Sequence, residues 1–206
     1  MKYRRLIALL LFTLPAPVLA QTVEARAGVL LSMPLVEDAG GHVLIGNWSN
    51  VELTGPVKLS LAPTPLVSLS LLLPLREKMT LELGGTYGLG KLVASDTVSS
   101  WDVQNAGLVS AVVDVRYQYS SIIDLMAGVG GTKFFSESKG VFAEGSGIMP
   151  LIEVGAGARR GFGPVILSLD ARLQTHTFGT PALRRDGASD GKVMRGSIQL
   201  GVRGAR

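Results

Sequence analysis

The sequence predicts an all-β fold: an eight-stranded antiparallel up-and-down transmembrane β-barrel. Three observations carry that expectation. The chain is hydrophobic overall, with a mean hydropathy of +0.35, yet past its first twenty residues it has no uncharged apolar run of the about 20 residues a membrane-crossing helix needs. It contains no cysteine, which removes disulfides and thiolate metal sites as sources of stability. Its apolar residues recur at every second position, the period of a strand with one greasy face and one polar face.

Residues 1–20 read as a cleavable secretory signal: Lys2, Arg4 and Arg5, then an apolar run from Leu6 to Leu14, then Val18-Leu19-Ala20 before Gln21. Of the chain's 20 Lys+Arg and 16 Asp+Glu, three bases lie in this leader, so residues 21–206 carry 17 − 16 = +1. Those residues are expected to form one barrel domain. Their bases occur singly or in pairs such as Arg159-Arg160 and Arg184-Arg185, so nucleic acid is not an expected partner.

Eight segments alternate. Residues 22–33 set Val23, Ala25, Ala27, Val29 and Leu31 against Glu24, Arg26, Gly28 and Ser32. Residues 57–75 keep Lys58, Ser60, Thr64, Ser68 and Ser70 on the polar side through three prolines. In 79–92, Leu81, Leu83, Tyr87 and Leu89 oppose Thr80, Glu82, Thr86 and glycines; in 108–120, Val109, Ala111, Val113, Val115 and Tyr117 oppose Ser110, Asp114, Arg116 and Gln118. Residues 122–135 place Ile123, Leu125, Ala127 and Val129 opposite Asp124, Gly128, Gly130 and Thr132. Residues 150–160 place Ile152, Val154, Ala156 and Ala158 opposite Glu153, Gly155, Gly157 and Arg159. In 165–178, Leu167, Leu169, Ala171 and Leu173 oppose Ser168, Asp170, Arg172, Gln174 and His176; in 196–206, Ile198, Leu200 and Val202 oppose Ser197, Gln199, Gly201 and Arg203.

The connections alternate as well. Residues 76–78, 120–121 and 161–164 suit tight hairpins, whereas 34–56, 93–107, 136–149 and 179–195 are long and polar. Short turns at one rim and long loops at the other is the layout of an up-and-down membrane barrel.

Period-2 alternation alone does not say which face is inside. The strands are long, about 11 to 14 residues against about 5 or 6 in ordinary sheets. Their apolar parity is Val, Leu, Ile and Ala with charges only near strand ends, such as Lys91 and Lys133. The polar parity mixes glycine with Glu24, Glu82, Asp114, Asp124, Glu153 and Asp170 against Arg26, Arg116, Arg159, Arg172 and Arg203. Every base in that set is Arg, whose planar fork suits desolvated carboxylates. An eight-stranded barrel has an interior just wide enough for side chains to fill. These eleven residues are therefore expected to plug the lumen as an Arg–carboxylate network, with hydrocarbon on the aliphatic side.

On these grounds the chain resembles the small outer-membrane β-barrels typified by the transmembrane domain of OmpA and by OmpX. The resemblance is one of layout over the whole region after the leader. It implies residence in the bacterial outer membrane, contact with outer-membrane lipids, and outward-facing long loops able to meet an extracellular partner. Two features depart from that pattern: the sequence reads Gly204-Ala205-Arg206 where such barrels end in an aromatic residue, and aromatics are only 6% of the chain. Tyr87, Tyr117, Tyr119, Phe134, Phe135 and Phe178 are the available girdle residues.

Few residues suggest chemistry. Residues 155–163, GAGARRGFG, fail the dinucleotide pattern because Arg160 stands at the third glycine and no strand-to-helix switch follows. His176 with Ser168 on the same parity raises the alternative of a lipid-modifying enzyme, but spacing along one strand does not bring a nucleophile and base together. His42 and His176 are too far apart for a metal site, and no cofactor is expected. Asn47-Trp48-Ser49 matches a glycosylation acceptor, a pattern common by chance. Trp48 and Trp101 are read as loop aromatics, acting as interface anchors or partner contacts. The expected role is non-enzymatic, structural or in surface interaction. Its rivals are the lipid-modifying enzyme, a soluble periplasmic barrel for an apolar ligand, and lateral passage of small hydrophobic molecules.

Overall fold

The computed structural model describes residues 21–31, 33–37, 57–136, 140–142, 145–185 and 190–205. The expected leader, His42, Asn47, Trp48 and Arg206 lie outside the described residues. Among the described residues ten strands follow in chain order: β1 (Thr22–Leu30), β2 (Met33–Val36), β3 (Lys58–Leu61), β4 (Thr64–Arg76), β5 (Met79–Ser95), β6 (Ser100–Gln118), β7 (Ile123–Phe135), β8 (Met149–Phe162), β9 (Val165–Phe178) and β10 (Gly191–Gly204). Gly140–Phe142 forms a single 3-10 turn and Pro181–Arg185 a one-turn helix, α1. Among the described residues no helix is long and apolar enough to cross a membrane.

Eight strands close a ring, β1-β4-β5-β6-β7-β8-β9-β10 and back to β1, every pair antiparallel. The seam joins the first and last strands, with Glu24 opposite Arg203 and Leu30 opposite Ser197. Closure leaves the ring without a sheet edge, the condition for strands to sit in hydrocarbon with all backbone groups paired. The tight turns between β4 and β5, β6 and β7, and β8 and β9 share one rim with both described chain ends. We call this the lower rim; the longer connections define the upper one. Gly163, with φ +59°, supplies the left-handed residue of the β8–β9 turn.

β2 and β3 prolong the first hairpin upward. Leu30 pairs with Thr64 in the β1–β4 ladder, and Met33 pairs with Leu61 in the β2–β3 ladder. The ladder of the first arm ends before Leu31, and the second arm is broken at Ala62–Pro63. Pro63 has no N–H to give a ladder, so the strand resumes at Thr64 with its parity shifted by one. Leu59 and Leu61 are buried in β3, whereas Thr64, Leu66, Ser70 and Leu72 are buried in β4. The expectation of unbroken parity over 57–75 is thus corrected, and Lys58 faces outward.

Three long connections are shorter than the sequence suggested. β5 and β6 continue as a ribbon to a turn at 96–99, where the Asp96 carboxylate accepts bonds from the amides of Val98 (2.8 Å) and Ser99 (2.6 Å). Trp101 therefore lies in β6, opposite Ala94, packed on the buried apolar cluster instead of in a loop. β8 begins at Met149 and β10 at Gly191.

Orientation is settled by exposure. Leu69, Val129 and Leu200 on the aliphatic parity are 61%, 62% and 67% exposed, while Arg26 and Arg172 are 4% and 7% exposed. A soluble barrel with a greasy interior would reverse these values along the lower half. The aliphatic band of β5 runs from Leu81 to Leu89 and that of β7 from Ile123 to Gly131, nine residues each. A tilted strand needs about 9–11 to span the hydrocarbon. Tyr87 and Phe135 stack on the outer face with ring centroids 5.8 Å apart. Phe134 and Phe178 point into the lumen and are buried, so they are not part of a girdle.

Candidate functional site

The lumen has two storeys. In the lower one, Glu82 on β5 is the hub. It accepts Arg26 Nη1 from β1 (2.6 Å), Arg172 Nη2 from β9 (2.9 Å), the Ser70 hydroxyl from β4 (2.7 Å), and Arg116 Nε from β6. Asp170 accepts Arg116 Nη2 (2.5 Å) and Arg172 Nη2 (3.1 Å) and lies 3.1 Å from Arg26 Nε. Arg172 Nη1 reaches across to Glu153 (2.6 Å) and Asp114 (3.3 Å). Glu24 accepts Arg26 Nε (2.9 Å) and the Ser168 hydroxyl (2.5 Å).

The remaining three members sit at the lower mouth. Arg203 Nη1 lies 3.4 Å from Glu24, Arg159 Nη2 lies 3.4 Å from Asp124, and Arg116 Nη1 lies 4.0 Å from Asp124. All eleven residues thus meet in one lumen, nine buried and Arg159 and Arg203 partly open to the mouth. Charges so far from water persist only when paired and hydrogen-bonded, which is why each carboxylate faces at least one guanidinium. Glycines make the room. A Cβ on Gly201 would stand 2.3 Å from Ser168 Oγ and 2.6 Å from Glu24 Oε1, and one on Gly157 would stand 2.3 Å from Asp170 Oδ1.

A neutral layer lies above. Arg195, within the 179–195 connection expected from sequence, lies on β10 and is 3% exposed. Its Nε donates to Gln174 Oε1 (2.5 Å) and its Nη2 to the hydroxyls of Ser110 (2.9 Å) and Thr132 (3.2 Å). Gln174 in turn donates to Glu153. The signal that could have found Arg195 is its register: it is two residues from Ser197 on the luminal parity of the same strand.

The upper storey is apolar and lies above the Arg–carboxylate network. Leu59, Leu61, Leu66, Leu92, Leu108, Phe134, Met149, Phe178 and Val193 face inward and are buried. Val141 and Phe142 of the 3-10 turn and Leu183 of α1 enter from above. Thr180 ties these two elements together, its hydroxyl donating to the Val141 carbonyl (2.6 Å) and accepting from the Leu183 amide (3.3 Å). Phe134, Phe178 and Phe142 form an edge-to-face column with centroids 5.3 and 6.1 Å apart.

The wall beside this storey is interrupted. The β1–β10 ladder stops at Leu30–Ser197, with one further bond from the Leu31 amide to the Gly196 carbonyl (2.8 Å). Above it, β2 pairs with β3 and, among the described residues, has no ladder to β10. The two backbones nevertheless approach closely: a Cβ on Gly191 would stand 2.8 Å from the Leu35 carbonyl oxygen.

His176 is buried against Phe134 (centroids 5.6 Å), and its Nδ1 lies 2.8 Å from the Thr177 carbonyl. Ser168 is engaged with Glu24 in the lower storey, so the structure does not bring it to His176. Among the described residues no group of three or more His, Asp or Glu is placed to hold a metal ion.

Solved structures similar to this chain include small outer-membrane barrels. The outer-membrane protein OprG of Pseudomonas aeruginosa superposes with a TM-score of 0.57 at 9% identity, over 89% of this chain and 94% of that one. The fold is that of a small outer-membrane β-barrel. Ail, the attachment invasion locus protein of Yersinia pestis, matches over 89% of this chain and 97% of its own at 11% identity and a TM-score of 0.44. AlkL, solved in lipid bilayers, matches over 88% and 87% at 15% identity and a TM-score of 0.44. No family model matches the sequence, and no curated protein does.

Proposed function

We propose that this chain is an integral protein of the bacterial outer membrane, without catalytic activity, whose barrel is closed to free diffusion and whose upper connections carry its interactions. The observation that supports this reading is the lower storey. Side chains from β1, β5, β6, β8 and β9 join across the lumen through Glu82, Asp170 and Arg172, so that ions would have to break buried pairs to pass. Channel-forming porins use about 16–18 strands to leave an aqueous lumen. Lipids of the surrounding leaflets cover the aliphatic band, and an extracellular partner would meet the upper rim. Planar-bilayer recording tests the reading. Wild-type protein is expected to give no stepwise conductance at neutral pH in 1 M KCl, and sustained ohmic channels would overturn it.

A second reading has its own support in the upper storey. An apolar compartment beside an interrupted wall suits the uptake of a small apolar molecule from outside and its release sideways into the bilayer. The charged floor beneath would keep such a molecule from continuing downward, because burying apolar surface against ions forfeits their solvation.

A further inference from the structure

We propose that the floor of the upper storey binds the carboxyl group of an amphipathic acid, a long-chain carboxylic acid, with its tail directed into the apolar compartment. This rests on the second reading above and names the ligand class it implies. The argument starts from hydrogen-bond accounting. Buried side-chain nitrogens and oxygens are paired as a rule, and an unpaired one costs its desolvation. Several atoms of the lower network are unpaired, but each belongs to a group whose other atoms meet an opposite charge or, for Gln199, to a neutral amide. Two orphans differ: Arg195 Nη1 and His176 Nε2.

Arg195 has only neutral hydrogen-bond partners among the described residues, Gln174, Ser110 and Thr132, and the Glu153 carboxylate is reached through Gln174. His176 has one ring nitrogen on the Thr177 carbonyl, so that nitrogen carries the hydrogen and Nε2 of the neutral ring is an acceptor. The two residues are diagonal neighbours on adjacent strands, since His176 pairs with Val193 and Arg195 lies two residues on. Both pack on Phe134, with Arg195 Cζ 5.9 Å and the His176 ring 5.6 Å from its centroid. The two residues that carry the unpaired donor and the unpaired acceptor thus flank one ring at the base of the aromatic column.

A carboxyl group matches that pair. One oxygen accepts from Arg195 Nη1 and the other shares a hydrogen with His176 Nε2; the single proton sits on the acid or on the imidazole, and two bonds form in either case. An alcohol satisfies one partner at a time without charge, and an alkane satisfies neither. Phe134, Phe178, Leu108 and Met149 supply the apolar surface for the tail.

The test uses the full barrel in phospholipid nanodiscs, with dodecanoic acid labelled at its carboxyl carbon by 13C and, separately, 1-dodecanol. Wild type is expected to bind dodecanoic acid about ten- to a hundredfold more tightly than dodecanol, the factor for one charge-assisted hydrogen bond, and to show a shifted carboxyl resonance. Arg195→Gln should abolish that preference, with the larger loss falling on dodecanoic acid, and Arg195→Lys should keep part of it. The wild-type preference stands as a readout even if a variant fails to fold on an unboiled gel. Equal affinities of wild type for the two ligands, or an undiminished preference in Arg195→Gln, would mean that water alone fills the site and would overturn the proposal. Binding of neither ligand would overturn the apolar-uptake reading itself.

Discussion

Replacing Arg172 with Met asks how much the lumen depends on one cation. Its guanidinium lies 2.9 Å from Glu82, 3.1 Å from Asp170, 2.6 Å from Glu153 and 3.3 Å from Asp114. Glu82 and Asp170 would retain Arg26 and Arg116. Glu153 would keep Gln174 and the neighbouring Asp114 carboxyl but no guanidinium ion pair, and Asp114 would keep no guanidinium among its described contacts. Removing one partner of a buried pair costs about 3–5 kcal/mol because the other charge is left uncompensated, whereas an exposed pair is worth about 0–1 kcal/mol. Arg172→Met is therefore expected to cost about 3–5 kcal/mol. With a urea slope of about 2 kcal/mol per M, the unfolding midpoint in lipid vesicles should fall by about 1.5–2.5 M, read from folded and unfolded bands on unboiled gels. Lys91→Ala, which breaks the short Lys91–Asp102 contact of 2.5 Å between side chains 57% and 58% exposed, should change it by less than 1 kcal/mol. Adding Glu153→Gln and Asp114→Asn to Arg172→Met should recover most of the loss. If Arg172→Met costs no more than Lys91→Ala, the lower storey is not held by ion pairing.

Two further outcomes follow from position. Leu200→Arg, on the lipid face in the middle of β10, should destabilise the vesicle-embedded barrel by about 2–4 kcal/mol, the range for a midplane arginine; a neutral result in the same urea titration would contradict the orientation. Above the membrane, the Arg184 guanidinium donates to both Asp190 carboxylate oxygens (2.8 and 2.9 Å) and holds that carboxyl below its ordinary range. A depressed carboxylate stabilises above its unfolded pKa and loses that contribution as pH falls through the folded value. Hydrogen exchange at 181–185 and 190–191 should therefore accelerate only below about pH 4, and Asp190→Asn should remove that dependence without slowing exchange at neutral pH.

The lower half of the barrel was legible because its two faces differ in kind. Along 165–173 every outward residue is aliphatic and Ser168, Asp170 and Arg172 point inward, so the period reports the face directly. The upper half was not, because both parities there are apolar or both are polar. In β10, Lys192 and Met194 face outward while Val193 and Arg195 face the lumen, and no alternation survives to mark the strand. Trp101 sits among Ser100, Asp102 and Gln104, a composition that resembles a loop although it forms a ribbon. The slip at Ala62–Pro63 leaves little trace in composition because serine and leucine continue on both sides of it. Arg195 was missed for the same reason that it is informative: its partners are neutral and lie on β6, β7 and β9, far away in sequence.

The β1–β10 seam gives the barrel a way to check its own completion. Glu24, near the start of β1, has Arg26 beside it but draws Ser168 and Arg203 from the last quarter of the chain, so its set of partners is completed only when the final strands dock. A shift of β10 by a single residue would rotate Arg203, Gln199 and Ser197 out against acyl chains and turn Val202, Leu200 and Ile198 inward toward arginine. Misaligned zippering is thus penalised at several rungs at once. The ionic interior does more here than fill space, because it selects the one alignment in which the cylinder can shut.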